Sequence, residues 1–78
     1  MRTLKKLNKT IRYLITEWEL NGKKLFQVKK LYIENCGYRG PIIRSAKSNF
    51  ETLARAEASV NRAVRKCIEY GWIEEVAL

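Results

Sequence analysis

The chain contains no histidine, and that absence removes most ordinary catalytic chemistry. Without it no Ser–His–Asp triad can be assembled, and no side chain has an unperturbed pKa near neutrality. Cys36 and Cys67 are the only cysteines and form no Cys-x-x-C pair, so a zinc site lacks ligands. In a reducing compartment both are expected as free thiols, with Cys67 a small core residue. No apolar run approaches the ~20 residues needed to cross a bilayer. The basic segment Met1 to Arg12 lacks the apolar stretch and small-residue cleavage site of a signal peptide. Its Leu4, Leu7, Ile11 and Leu14 fall at helical spacing, so an amphipathic transit peptide is the alternative to a cytoplasmic chain. Neither a P-loop nor a G-x-G-x-x-G is present. Taken together, these absences point away from an enzyme, and no cofactor or metal is expected.

Positive charge, by contrast, is abundant. Sixteen Lys and Arg stand against eight Asp and Glu, a net +8 over 78 residues. A single small domain with this balance carries a positive field over much of its surface. The commonest polyanion such a field attracts is nucleic acid, DNA or RNA. The apolar fraction of 46% is that of a folded domain.

Asn21-Gly22 lies between two runs rich in β-branched and aromatic residues, which predicts a β-hairpin over Thr10 to Ile33 with a type I′ turn. A two-residue loop pairs Leu20 with Lys23 and fixes the ladder. Ile11, Tyr13, Ile15, Glu17 and Glu19 then share a face with Tyr32, Lys30, Val28, Phe26 and Lys24. This is the expected core side, closed near the tip by a Glu19–Lys24 ion pair. The other face mixes Trp18, Leu14, Leu20 and Leu25 with Arg12, Lys23 and Lys29, and is expected to be the more exposed. Glu34 to Pro41 reads as a loop and Ile42 to Ala46 as a short third strand. Ser48 and Glu51 fit a capping box opening a helix from Asn49 to Tyr70, stopped by Gly71. Its apolar stripe is Phe50, Leu53, Ala56, Val60, Ala63, Val64, Cys67 and Ile68. Trp72 and Ile73 are expected to fold back onto the core. The economical architecture is α+β: a three-stranded antiparallel sheet, made of the N-terminal hairpin plus the short third strand, packed on one long C-terminal helix as a single domain over 1–78.

The loop Cys36-Gly37-Tyr38-Arg39-Gly40, the strand pair, and a basic helix ending Ala63 to Trp72 with Gly71 before an aromatic resemble the WGR domain of DNA-repair polymerases and small bacterial proteins. The family's Trp-Gly-Arg triplet is absent; here Tyr38 separates Gly37 from Arg39. The resemblance implies nucleic-acid contact through the basic loop, with Arg39 the counterpart of the family's arginine. The sheet-plus-helix arrangement is also similar to the DNA-binding domains of phage integrases, in architecture alone.

Two functional expectations follow. In the first, the chain is a nucleic-acid-binding module that recognises backbone and shape, through Lys29, Arg39, Arg55, Arg62 and Lys66; exposed Trp18 or Tyr38 would stack on bases. In the second, it is a protein-binding module, such as a phage-encoded inhibitor of a host defence or nucleic-acid-processing complex, anchored by Trp18, Leu20, Leu25 and Tyr38. A homodimer formed through the hairpin face or a free strand edge is compatible with both.

Overall fold

The Asn21-Gly22 turn sets the register of the central ladder of the sheet. Asn21 and Gly22 both adopt positive φ, 52° and 75°, as a type I′ turn requires. Strand β2 (Lys9–Leu20) therefore pairs with β3 (Lys23–Asn35) as expected, with Leu20 opposite Lys23, Ile15 opposite Val28 and Ile11 opposite Tyr32. Ile11, Tyr13 and Val28 are buried on the predicted core side. The tip ion pair differs: Lys24 reaches diagonally to Glu17 at 2.8 Å rather than to Glu19 directly opposite, a reach open to long side chains across a ladder. Residues 1–75 are described by this computed structural model.

Among the described residues the sheet has five strands, which corrects the three expected. β1 (Arg2–Lys6), β4 (Pro41–Phe50) and β5 (Ile73–Glu75) complete an antiparallel sheet of order β4-β3-β2-β1-β5. The architecture is still α+β, with one helix among the described residues, α1 (Leu53–Glu69). The N-terminal residues are strand and turn, not an amphipathic helix. Leu4 pairs with Ile11 across β1 and β2, Leu7 sits in the tight turn between them at φ 54°, and Leu14 lies on the other face. Three-to-four-residue spacing across a hairpin turn is coincidental, because the turn reverses the chain between Leu4 and Ile11. The turn is docked by Asn8, which donates from Nδ2 to the Asn35 carbonyl at 2.7 Å and accepts from the Asn35 N–H at 3.0 Å.

β4 runs past the expected Ala46 to Phe50, so α1 begins four residues later than predicted, and Ser48 and Glu51 form no capping box. The long β3 offers ladder partners as far as Phe26, which faces Phe50. Extending the ladder packs Phe50 against the core, which outweighs a local cap. The cap is instead Thr52, whose hydroxyl accepts from the Arg55 N–H at 3.2 Å. At the other end Gly71 takes φ 92°; its N–H bonds to the Ile68 carbonyl and that of Trp72 to the Cys67 carbonyl, at 3.0 and 3.1 Å. This is a Schellman stop, reinforced by Lys6 Nζ donating to the Tyr70 carbonyl at 2.7 Å.

Helix α1 covers one face of the sheet. Ala56, Val60 and Val64 meet Leu4, Ile11, Tyr13 and Val28 in a small core, with Ala63, Cys67 and Trp72 packed beside it. Leu53 and Ile68, expected in the stripe, are exposed, and so is Ile73, which pairs in β5 instead of folding inward. Glu74 and Glu75 are both held by cations of β1. Glu74 accepts two bonds from Arg2, at 2.6 and 2.8 Å, and Glu75 pairs with Lys5 at 2.8 Å. Arg2 also donates to Asn61 of the helix, joining β1, β5 and α1. This pairing holds the Glu74 carboxyl below its ordinary range, chiefly through the Arg2 hydrogen bond.

Candidate nucleic-acid interface

One helix cannot cover both sides of five strands, so the opposite face of the sheet is open. Side chains alternate across each strand, and the buried Leu4, Ile11 and Val28 fix which set points away from the helix. The registers arrange that open face in rows. Nearest the hairpin tip, Leu20 faces Lys23. Next come Trp18 and Leu25, then Thr16, Gln27 and Asn49, then Leu14, Lys29 and Lys47. Beyond these Arg12 stands between Leu31 and Thr3, and Ile33 lies between Ile43 and Thr10. Successive rows are ~7 Å apart, two residues of strand rise.

The charges on this face are strongly one-sided. Lys5, Arg12, Lys23, Lys29 and Lys47 lie on it, and its one acidic side chain among the described residues is Glu75, at the β5 edge and paired with Lys5. Lys29 and Lys47 stand directly opposite each other, with Arg12 diagonal to Lys29. Cβ atoms of facing residues are about 5 Å apart, and like charges so placed are destabilising. The free protein therefore carries a repulsive cluster that a bound anion would relieve.

The residues predicted as one nucleic-acid site do not come together. Lys29 belongs to the open face. Arg55, Arg62 and Lys66 form an exposed stripe on the outer side of α1, with the sheet between them and Lys29. Arg39 lies in the exposed 3-10 turn Gly37–Arg39. Of the predicted partner-binding set, Trp18 and Leu25 are a cross-strand pair and Leu20 is one row further out. Tyr38, 97% exposed, sits beyond the other end of β3, which runs about 34 Å from Leu25 to Asn35. Trp18 is 53% exposed, and its indole is oriented by Nε1 donating to Thr16 Oγ1 at 2.9 Å.

Arg12, Lys47, Gln27 and Asn49 were missing from the predicted site. Arg12 was legible on the open face from the hairpin register. Lys47 and Asn49 were not, because β4 was read as ending at Ala46. The alternation Ile43, Ser45, Lys47, Asn49 against Ile42, Arg44, Ala46, Ser48, Phe50 was the available signal. On the helix side a hollow of about 270 Å³ is lined by Lys30, Tyr32, Arg44, Ser45 and Ala46. There Tyr32 donates to Glu34 at 3.1 Å, and partial burial followed by this bond raises its pKa. Both cysteines are free thiols. Among the described residues no His/Cys/Asp/Glu group could hold a metal, and no helix is long and apolar enough to cross a membrane.

Comparison with protein-family models, with curated proteins and with solved structures returns no match for this chain.

Proposed function

We propose that this chain is a small, non-catalytic nucleic-acid-binding module of the cytoplasm, and that the open sheet face is its principal contact surface. The observation that carries the reading is the cluster of Arg12, Lys29 and Lys47, adjacent across three strands with no carboxylate among them. Positioned Lys and Arg are what phosphate contact needs, and a like-charge cluster is retained at a cost that a polyanion offsets. Of the residues first expected to bind, Lys29 stays central, while Arg39, Arg55, Arg62 and Lys66 contribute at most a peripheral field. The test is fluorescence anisotropy with short DNA and RNA across a salt series. Binding that weakens steeply with salt, by counterion release, supports the reading. No binding at low salt rejects it.

A second reading rests on a different observation. Trp18, Leu20 and Leu25 form an apolar patch at the hairpin tip, where Glu17 and Glu19 balance Lys23 and Lys24. A neutral, apolar, aromatic-anchored tip suits a protein partner, as in an inhibitor of a host defence or nucleic-acid-processing complex. Recovery of one defined partner from nuclease-treated extract, lost in Trp18→Ala, is its expected result.

A further inference from the structure

We infer that the ligand of the open face is a single strand, with a base stacked on Trp18, base edges against Gln27 and Asn49, and phosphates on Lys29, Lys47 and Arg12. This inference rests on the nucleic-acid reading above and gives it a substrate class.

The charge balance at the hairpin tip argues first against a duplex. Five strands lie abreast only around Arg12, where the sheet is about 19 Å across and wider than a major groove of about 12 Å; the rows of Gln27 and Lys29 span three strands and that of Trp18 two. The two-stranded hairpin tip is narrow enough to enter. Yet there Glu17 and Glu19 offset Lys23 and Lys24, and Lys24 is held by Glu17 at 2.8 Å. That tip has little net charge to neutralise phosphates lining a groove.

The order of chemistry on the face argues for a single strand. Trp18 is half-exposed, with its ring fixed by the bond to Thr16 Oγ1 at 2.9 Å and Leu25 opposite. An indole presented this way offers a stacking plane, and base faces are free to meet it only in an unpaired strand. One row inward stand the amides of Gln27 and Asn49, joined by a long contact of 3.4 Å. Amides carry both donors and acceptors, which suits the mixed edges of unpaired bases. One row further stand Lys29 and Lys47. Aromatic, amide and cation thus follow one another over about 14 Å, the succession of stacking face, polar edge and phosphate that a nucleotide strand presents. The repulsion between Lys29 and Lys47 supplies the charge complementarity.

The test uses the full chain and fluorescein-labelled single strands of roughly twelve nucleotides, DNA and RNA, with the matching duplexes. The single strand is expected to bind about tenfold tighter than the duplex, with quenching of tryptophan fluorescence on saturation. Trp18→Ala should weaken single-strand binding by roughly tenfold or more and leave duplex binding nearly unchanged, while Trp18→Phe retains most of the affinity. Lys29→Gln with Lys47→Gln should weaken binding and flatten the salt slope; Arg55→Gln with Arg62→Gln should change little. Duplex binding as tight as single-strand binding, with Trp18→Ala neutral, overturns the single-strand inference and leaves the nucleic-acid reading standing. Loss of binding in the helix variants alone also overturns it, by moving the ligand to α1. No binding by any probe rejects both. If Trp18→Ala does not fold, quenching in the wild type and the affinity of Trp18→Phe decide.

Discussion

Lys47→Glu should stabilise the free protein while removing its polyanion affinity. Lys47 faces Lys29 directly across β3 and β4, and Arg12 lies diagonal to Lys29 on β2. A cross-strand charge pair contributes roughly 0.2–1 kcal/mol, with the opposite sign for like charges. Replacing repulsion by attraction therefore changes stability by about 1 kcal/mol. In a domain of this size that raises Tm by about 4–8 °C. Because the pair is on the surface, the gain should shrink as salt rises and the Debye length falls from about 10 Å at 0.1 M to about 3 Å at 1 M. The net charge falls from +8 to about +6, and one phosphate contact becomes a repulsion, so the salt slope of binding should fall by about one to two. Thermal melts at low and high salt, beside anisotropy titrations, read both effects. A Tm unchanged or lowered at low salt would show that Lys29 and Lys47 do not repel, and the argument from the cluster would go with it.

Three further outcomes test the fold. Tyr13 is buried and its phenol is pushed up to about 12, first by burial and then by the neighbouring Cys67; its stabilising contribution is therefore complete below pH ~10 and lost as pH rises from ~10 through ~12, and Tyr13→Phe should reduce that alkaline loss in pH-dependent melts. Leu4 is fully buried in β1, so Leu4→Ala should cost about 2–5 kcal/mol, comparable to the whole stability of so small a domain; a native circular-dichroism spectrum and unchanged melt would contradict β1 as a core strand. Leu7 holds φ 54° while 94% exposed, so Leu7→Gly should relieve ~1–2 kcal/mol of backbone strain against ~0.5–1 kcal/mol of added chain entropy, for a small rise in denaturation midpoint; a fall would mean the turn depends on the Leu7 side chain.

Those parts of the fold specified by local chemistry were legible in the sequence. Asn21-Gly22 allowed the register of eleven of the twelve paired positions to be written down, and with it the core face and the position of Trp18 beside Leu25. Gly71 marked the helix stop, and Trp72 the return to the core. Elements decided by tertiary pairing were not legible. β1 has only Leu4 buried, flanked by Arg2 and Lys6, and it is a strand because β2 and β5 supply its hydrogen bonds. β5 is three residues long and exists because Arg2 and Lys5 engage Glu74 and Glu75. Residues 48–50 satisfied both a helix-start pattern, Ser48 to Glu51, and a strand alternation; the length of β3 settled it. The candidate site inherited these errors: its cations were chosen by exposure and spacing within elements, whereas the cluster forms between strands.

Why the open face should bind rather than the helix is a matter of charge density, not of total charge. α1 carries Arg55, Arg62, Arg65 and Lys66, but Glu57 and Glu69 share the same helix. Glu69 lies four residues after Arg65 and three after Lys66, the spacings at which opposite charges offset one another. The excess on the helix is two. On the open face five cations meet one carboxylate, an excess of four, and Arg12, Lys29 and Lys47 are adjacent across three strands instead of strung along one axis. A five-stranded sheet with a single helix must leave one face to solvent, and in this chain that face combines the exposed indole of Trp18, the amides of Gln27 and Asn49, and the least-balanced charge. No other surface among the described residues brings those three chemistries together, so charge reversal on the sheet should outweigh the same number of reversals on the helix in any binding assay.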